Sequence, residues 1–337
     1  LMREASDTTV AKAISKKVEA IDKSVFSMQD EFVTKYPQSF TAVLIKSSKE
    51  PPLPEYAPDA DMASKIKGYN FYKSHYLDNV DFKDERLFRS PVYFQKVDGF
   101  IQNITYQQPD SIIKSLDIVL AKTKEIPDAF KFYLSHYFNY YLKSKFVGMD
   151  AVYVHLIDKY YSKGEAPWVD KANLQKMKDA ANDVRPTLLG RYAPNLTFLN
   201  QKDSTDIKVH DIQSPYTVLF FWAPDCSHCE KAIPHVIDFD NKYKDQGVKI
   251  FAICTGLLDE AKDCWKGVEK KHMEHFVNVY DPVLMSNFKI IYNIKSTPQF
   301  FILDKDKKIL SKGIGAEQLD EVMGKIIEYD KNKGKEE

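Results

Sequence analysis

Cys226 and Cys229 stand three positions apart inside the stretch VLFFWAPDCSHCEKAIPHV, Val218 to Val236. Two thiols at that spacing can serve as a metal clamp, a structural bridge or a redox couple. The local pattern favours the couple. A strand-sized apolar run ends at Trp222, Pro224 breaks it, and a helical stretch opens at the cysteines. A thiol at a helix start meets unpaired N–H groups and the positive end of the helix dipole, and both favour its anion. Thiol pKa values of about 3.5–7.5 occur in such settings, against about 8.5 for free cysteine. Cys226 is therefore the expected nucleophile. Cys229, a turn further in and more buried, is the expected resolving thiol that attacks the mixed disulfide.

The rival chemistries are weaker. A structural zinc site needs four ligands, usually from two such pairs. The remaining candidates, His228, Cys254, Cys264, His272 and His275, form no second knuckle. A permanent bridge between Cys226 and Cys229 would close too short a loop to remove much unfolded-state entropy. Cys254 ends a buried strand and Cys264 sits on the following helix, so they can approach; a buried free cysteine acting as a small hydrophobe is the commoner case and the expectation here. No glycine-rich phosphate loop, H-E-x-x-H or G-x-S-x-G occurs. No cofactor is expected, because the cysteine pair itself carries the electrons.

The elements that must position the pair lie in the second half. Two short strands, within Pro194–Asn200 and Asp206–Asp211, flank the turn QKDST. Buried strands follow at Thr217–Trp222, Val248–Cys254 and His275–Asp281, with helices carrying the cysteines and running from Asp259 to about Met273. A short helix is expected over Val283–Phe288, then a hairpin of Pro298–Asp304 and Lys307–Gly313, and a closing helix from Glu317 to about Tyr329. Strands alternating with helices predict an α/β sheet covered on both faces. The lysine-rich end, DKNKGKEE, is expected to fray.

The first half reads as all-helical. Ala11, Ile14, Val18, Ile21, Val25, Met28 and Phe32 form one apolar seam in steps of three and four. A coiled coil between chains fits that seam, but three heptads without a clear charge code favour packing on its own domain. The prolines of KEPPLPEYAP, Lys49 to Pro58, break the helical pattern. Helices open at Pro109 and Pro127, the second rich in aromatics from Phe130 to Tyr141, for which core packing is the expectation over a ligand groove. Val152, Leu156 and Tyr160 mark another helix, and Leu174, Met177 and Ala181 a last one. The texture changes at Arg185-Pro186, so a helical accessory domain of residues 1–185 and an α/β domain of residues 186–337 are expected.

Composition bounds the rest. Lys+Arg and Asp+Glu balance at 48 each, which argues against a nucleic-acid binder. No apolar run is long enough to span a bilayer. Four cysteines in 337 residues are too few for a disulfide-stapled fold. The chain opens Leu1-Met2 without a basic or apolar leader, so a native N-terminus, with any signal peptide, is expected to have been removed or left out.

FFWAPDCSHC followed by EKAIP, and the later STPQFFILDKDKKIL with its closing helix, resemble the thioredoxin superfamily. The likeness covers roughly Pro186 to Tyr329 and is nearest to the TlpA/ResA-like branch of extracytoplasmic thiol-disulfide oxidoreductases. RPTLLGRYAPNLTFLNQKDSTDIKVHD resembles that branch's extra N-terminal hairpin, and Asp259–Asp281 its additional helix and strand. The helical half resembles the accessory region before such domains in Bacteroidetes proteins.

The resemblance implies a thioredoxin-like C-terminal domain, a central mixed sheet flanked by helices, behind an all-α domain. It implies Cys226 and Cys229 as the redox pair, Trp222 as the shielding tryptophan and Pro234 as the helix-kinking proline. Thr297-Pro298 matches the cis-proline turn that faces the cysteines and rests a bound peptide; read without the family, Pro298 is equally a trans proline at a strand start. Two positions depart from the pattern. Thioredoxins proper carry a buried aspartate where Phe220 stands, and ResA-type relatives a glutamate where Ala232 stands. Glu230 and Asp225 read as surface charge, so exchange relies on water or on thiolate chemistry alone.

Ser227 and His228, between the cysteines, are expected to tune the potential and touch the substrate. Related pairs span about −270 to −120 mV. A protonated His228 pushes toward oxidant and a solvated neutral one does not, while the family leans toward reductant. Protein thiols and disulfides are the implied partners, with an upstream membrane electron donor and a periplasmic or cell-envelope setting; membrane contact would come through an anchor outside this chain. Two other readings stand beside this one. A thiol peroxidase of the same fold usually needs a threonine where Ala223 stands. A vestigial, non-enzymatic binding module is opposed by the intact pair beside Trp222 and Thr297-Pro298.

Overall fold

A computed structural model describes residues 8–52, 61–256, 261–281 and 284–333. Most of the proline-rich break, the start of the helix expected from Asp259, the start of the one expected at Val283, and the last four residues lie outside that set.

The chain forms two compact units, Leu1–His136 and Tyr137–Glu337. The first holds α1 (Thr8–Lys35), α2 (Phe40–Ser48), α3 (Met62–His75), α4 (Glu85–Phe88), α5 (Pro91–Gly99), α6 (Pro109–Thr123) and the start of α7 (Pro127–Leu142). Local chemistry sets these helix starts. Ser39 and Asp61 cap α2 and α3 through their side-chain oxygens, and prolines occupy the first turns of α5 and α6. The inner face expected of α6 is buried at Ile112, Leu116, Val119 and Leu120, joined by Leu87, Tyr93, Val97 and Tyr133. Most aromatics of α7 are packing residues as expected, with Phe130, Tyr133, Tyr137, Phe138 and Tyr141 buried, whereas Phe132 and Tyr140 are exposed. The α1 seam differs from expectation: Val18, Ile21, Val25 and Met28 are exposed rather than packed on their own unit.

The second unit holds the end of α7, α8 (Asp150–Leu156), α9 (Lys171–Val184) and a seven-stranded sheet. Its strands are β1 (Thr197–Asn200), β2 (Asp206–Lys208), β3 (Tyr216–Trp222), β4 (Val248–Cys254), β5 (Val277–Tyr280), β6 (Gln299–Leu303) and β7 (Ile309–Lys312), in the order β2-β1-β5-β4-β3-β6-β7. β3, β4 and β5 are mutually parallel, and the other pairings are antiparallel, so the sheet is mixed. α10 (Ser227–Tyr243) is the crossover between β3 and β4, as a parallel pair requires. α11 (Ala261–Lys270), α12 (Phe288–Ile291) and α13 (Leu319–Lys333) complete the layers.

Alternation along β3 explains its central place. Val218, Phe220 and Trp222 face one core with α10, α11 and α13, while Leu219 and Phe221 face the other with Phe288, Tyr292 and Phe301. A strand apolar on both faces must be covered on both. The strands and the covering helices beyond residue 186 fall where they were expected, except that the short helix expected over Val283–Phe288 is α12, Phe288–Ile291, with residues 284–287 non-helical.

Candidate active site

β3 and β6 run antiparallel with Phe221 opposite Gln299. The C-terminal end of β3 therefore lies beside the N-terminal end of β6, and the loops beyond those ends meet. One loop delivers Cys226, the other Thr297-Pro298. The Thr297-Pro298 bond is cis. The Cys226 thiol donates to the Thr297 carbonyl at 3.3 Å, a contact that sequence pattern does not predict.

Cys226 is the N-cap of α10, with φ −87° and ψ 108°, and its sulfur accepts the Cys229 N–H at 3.1 Å. A polar N-cap atom satisfies a helix N–H that would otherwise be orphaned. Here the capping atom is a sulfur, so the same bond stabilises its anion. Cys226 is half-buried; Cys229 is fully buried in the core that also holds Trp222. Both thiols are free.

The two environments drive the thiols apart. Burial alone pulls Cys226 up, but hydrogen bonds from the Cys229 thiol, the Thr297 side chain and the N–H groups of Cys229 and His228 outweigh it and leave it below the ordinary value. Burial pushes Cys229 up to about 12, helped by the neighbouring Cys226 sulfur. Near neutral pH the accessible sulfur is the acidic one. Iodoacetamide is accordingly expected to modify Cys226 alone at neutral pH, at a rate that falls as pH drops through its lowered pKa. Peptide mass mapping across a pH series checks this, and equal labelling of both cysteines would contradict it.

The other expected site residues fall as follows. Ser227 and His228 are exposed at the first turn of α10. Trp222 is 1% exposed, and its Nε1 is buried without a partner among the described residues. A Cβ on Gly267 would lie 2.9 Å from the Trp222 Cη2, so α11 seats the indole only because that residue is glycine. Pro234 lies inside α10. Glu230 is exposed and pairs with Lys271 at 3.2 Å, consistent with a surface charge. Phe220 is fully buried and stacks on Phe300, with centroids 5.0 Å apart and planes 6° apart. No group of three or more His, Cys, Asp or Glu able to hold a metal occurs among the described residues.

One expectation is overturned. Cys254 and Cys264 are joined in a disulfide rather than free, with Cα atoms 6.1 Å apart. Cys254 ends β4 directly opposite Trp222 on β3, and Cys264 is the fully buried residue that α11 turns toward it. The signal was present in a strand-end cysteine and an inward helical one separated by 10 residues. Spacing alone does not show that the helix folds back on its own strand. Replacing both by alanine is expected to cost about 2–3 kcal/mol by the chain-entropy relation for such a loop. The shift in urea midpoint measures it.

Two families match the chain: the one described as Redoxin over residues 188–327, and the one described as Domain of unknown function (DUF5106) over residues 13–186. The protein named Thiol-disulfide oxidoreductase ResA from Bacillus cereus is 30% identical over 148 residues, which is 42% of this chain and 79% of that protein. A solved thioredoxin-like protein from Bacteroides caccae superposes with a TM-score of 0.56 at 18% identity, covering 82% of this chain and 97% of the other, a likeness of fold alone. A solved domain from Cytophaga hutchinsonii, titled as a possible thiol-disulfide isomerase, is 34% identical over 43% of this chain and 97% of its own, with a TM-score of 0.40.

Proposed function

Since the chain belongs to the ResA-like thiol-disulfide oxidoreductases, we propose that Cys226 and Cys229 are its redox pair and that the substrates are protein thiols and disulfides. The supporting observation is the asymmetry of the two sulfurs: one half-buried and acidified at a helix start, the other buried and held protonated.

The chemistry balances as follows. The Cys226 thiolate attacks a substrate disulfide, forms a bond to one sulfur and expels the other as a thiolate. Cys229, once deprotonated, attacks the Cys226 sulfur. The Cys226–Cys229 disulfide forms and the second substrate thiolate leaves, so two electrons pass to the substrate. Thr297, at hydrogen-bond distance from the attacking sulfur, is placed to rest the substrate backbone, with Pro298 setting the turn. Ser227 and His228, exposed between the cysteines, form the rim a substrate meets, and Trp222 walls the buried side.

The proposal extends to the setting. The buried Cys254–Cys264 disulfide favours an oxidising, extracytoplasmic compartment, where an upstream membrane donor would re-reduce the pair. Residues 1–185 would act as an accessory domain and 186–337 as the catalytic one. The test is trapping. A Cys229→Ser chain incubated with oxidised cell-envelope extract is expected to accumulate mixed disulfides through Cys226, which mass spectrometry identifies. Absence of any adduct under conditions where Cys226 still alkylates would defeat the assignment.

A further inference from the structure

The middle of the seam on α1 has a regular partner-seeking pattern and no cover from its own unit among the described residues. Its apolar residues Ala11, Ile14, Val18, Ile21, Val25, Met28 and Phe32 recur in steps of three and four, the a/d repeat of a coiled coil. In the structure Val18 is 45% exposed, Ile21 61%, Val25 39% and Met28 64%. Partial burial falls on either side of that stretch: Ala11 and Ile14 are half-buried before it, Phe32 and Val33 are half-buried after it, and Asp30 pairs with Lys49. Helical stability in proteins comes mostly from packing an amphipathic face. The stretch from Val18 to Met28 of this 28-residue helix lacks that packing, whereas Ala11 and Ile14 before it and Phe32 after it are half-buried.

The charges flanking the seam say what fits. With Val18 and Val25 at a, and Ile21 and Met28 at d, Lys17 falls at g and Asp22 at e. Neither finds an opposite charge three or four positions away on its own helix, the neighbours being Ala13, Ile14, Ala20 and Ile21 for Lys17, and Val18, Glu19, Val25 and Phe26 for Asp22. In a parallel, in-register pair, a g residue faces the next e residue of the other helix. Lys17 then meets Asp22 of the partner subunit, and symmetry makes the contact twice. Ser24 and Gln29 meet in the same way one heptad on. An antiparallel pair on the same layers brings Asp22 against its own copy. Phe26, 56% exposed, lies off the seam and takes no part.

We propose that α1 is a self-association helix, pairing in parallel with α1 of a second copy of this chain through Val18, Ile21, Val25 and Met28, with Lys17 and Asp22 setting direction and register.

Sedimentation equilibrium of the whole chain, over a concentration series, is expected to show a mass rising from one chain to two. Ile21→Asp should remain monomeric throughout; the residue is exposed in the single chain, so circular dichroism and disulfide exchange should be unchanged. K17E is expected to raise the dissociation constant by about tenfold or more, by turning two attractions into repulsions. The charge swap K17E/D22K should restore it. Three outcomes overturn the proposal: a monomer at every concentration, whether or not it binds phosphatidylcholine vesicles through the same seam, a mass of three or more chains, or a swap that fails to restore pairing.

Discussion

Replacing Cys226 by serine is expected to lower disulfide exchange at neutral pH by about a thousandfold, and replacing Cys229 by serine is expected to stall the reaction after its first step. The asymmetry follows from the two thiol environments. Without Cys226 the remaining sulfur is buried, with a pKa of about 12. Only about one molecule in 10⁵ then carries the thiolate at neutral pH, and the greater nucleophilicity of a more basic sulfur recovers roughly 10² of that loss. Losing the Cys226 neighbour relaxes Cys229 somewhat, but burial, the largest influence on it, remains. Without Cys229 the acidic sulfur still attacks, but nothing expels the substrate from the mixed disulfide. Reduction of a protein disulfide, followed by turnover and by non-reducing electrophoresis, separates the two cases. Turnover at the wild-type rate by either variant would mean that the pair is not the electron carrier.

The parts legible in the sequence were those set by local pattern. β3 and β4 announce themselves because they are apolar on both faces, and the helix after β3 because cysteines and proline break the run at its start. From those two facts the position of Cys226 at a helix start follows directly. What was not legible depended on distance between segments far apart in the chain. The Thr297 carbonyl comes to 3.3 Å from the Cys226 sulfur because β6 is the antiparallel neighbour of β3, and no local pattern in residues 216–229 encodes that neighbour. The Cys254–Cys264 bond needed α11 to fold back beside the end of β4. The α1 seam was readable as a helix face. Whether its own unit covered it was not, because an a/d repeat looks the same whether it packs within one chain or between two. The family likeness supplied what pattern could not, the cis turn at Thr297-Pro298, and the structure carries it.

The proton of Cys229 leads to the second large effect. The influences that set its acidity are burial, the Cys226 sulfur, the Ala223 backbone and Thr297, with no carboxylate among them. The two positions where relatives carry an acid are closed: Phe220 is locked in a stack with Phe300, and Ala232 is buried and apolar. Resolution of the mixed disulfide therefore waits on the small fraction of Cys229 that ionises. That fraction grows tenfold for each pH unit below the thiol pKa. Once Cys226 is tied up in the mixed disulfide its raising influence weakens, so the pKa falls below about 12 while burial keeps it above neutral. The second step is expected to accelerate about tenfold per pH unit from neutral into the alkaline range, while attack by Cys226, whose thiol is held below its ordinary value, levels off at lower pH. Stopped-flow measurement of substrate release from a preformed mixed disulfide reads the second step alone. Ala232→Glu supplies the missing acceptor one turn after Cys229 on the same helix face. It is expected to raise the neutral-pH rate of release by about a hundredfold and to flatten its pH dependence. A wild-type release rate that is already flat across neutral pH would show that another group takes the proton.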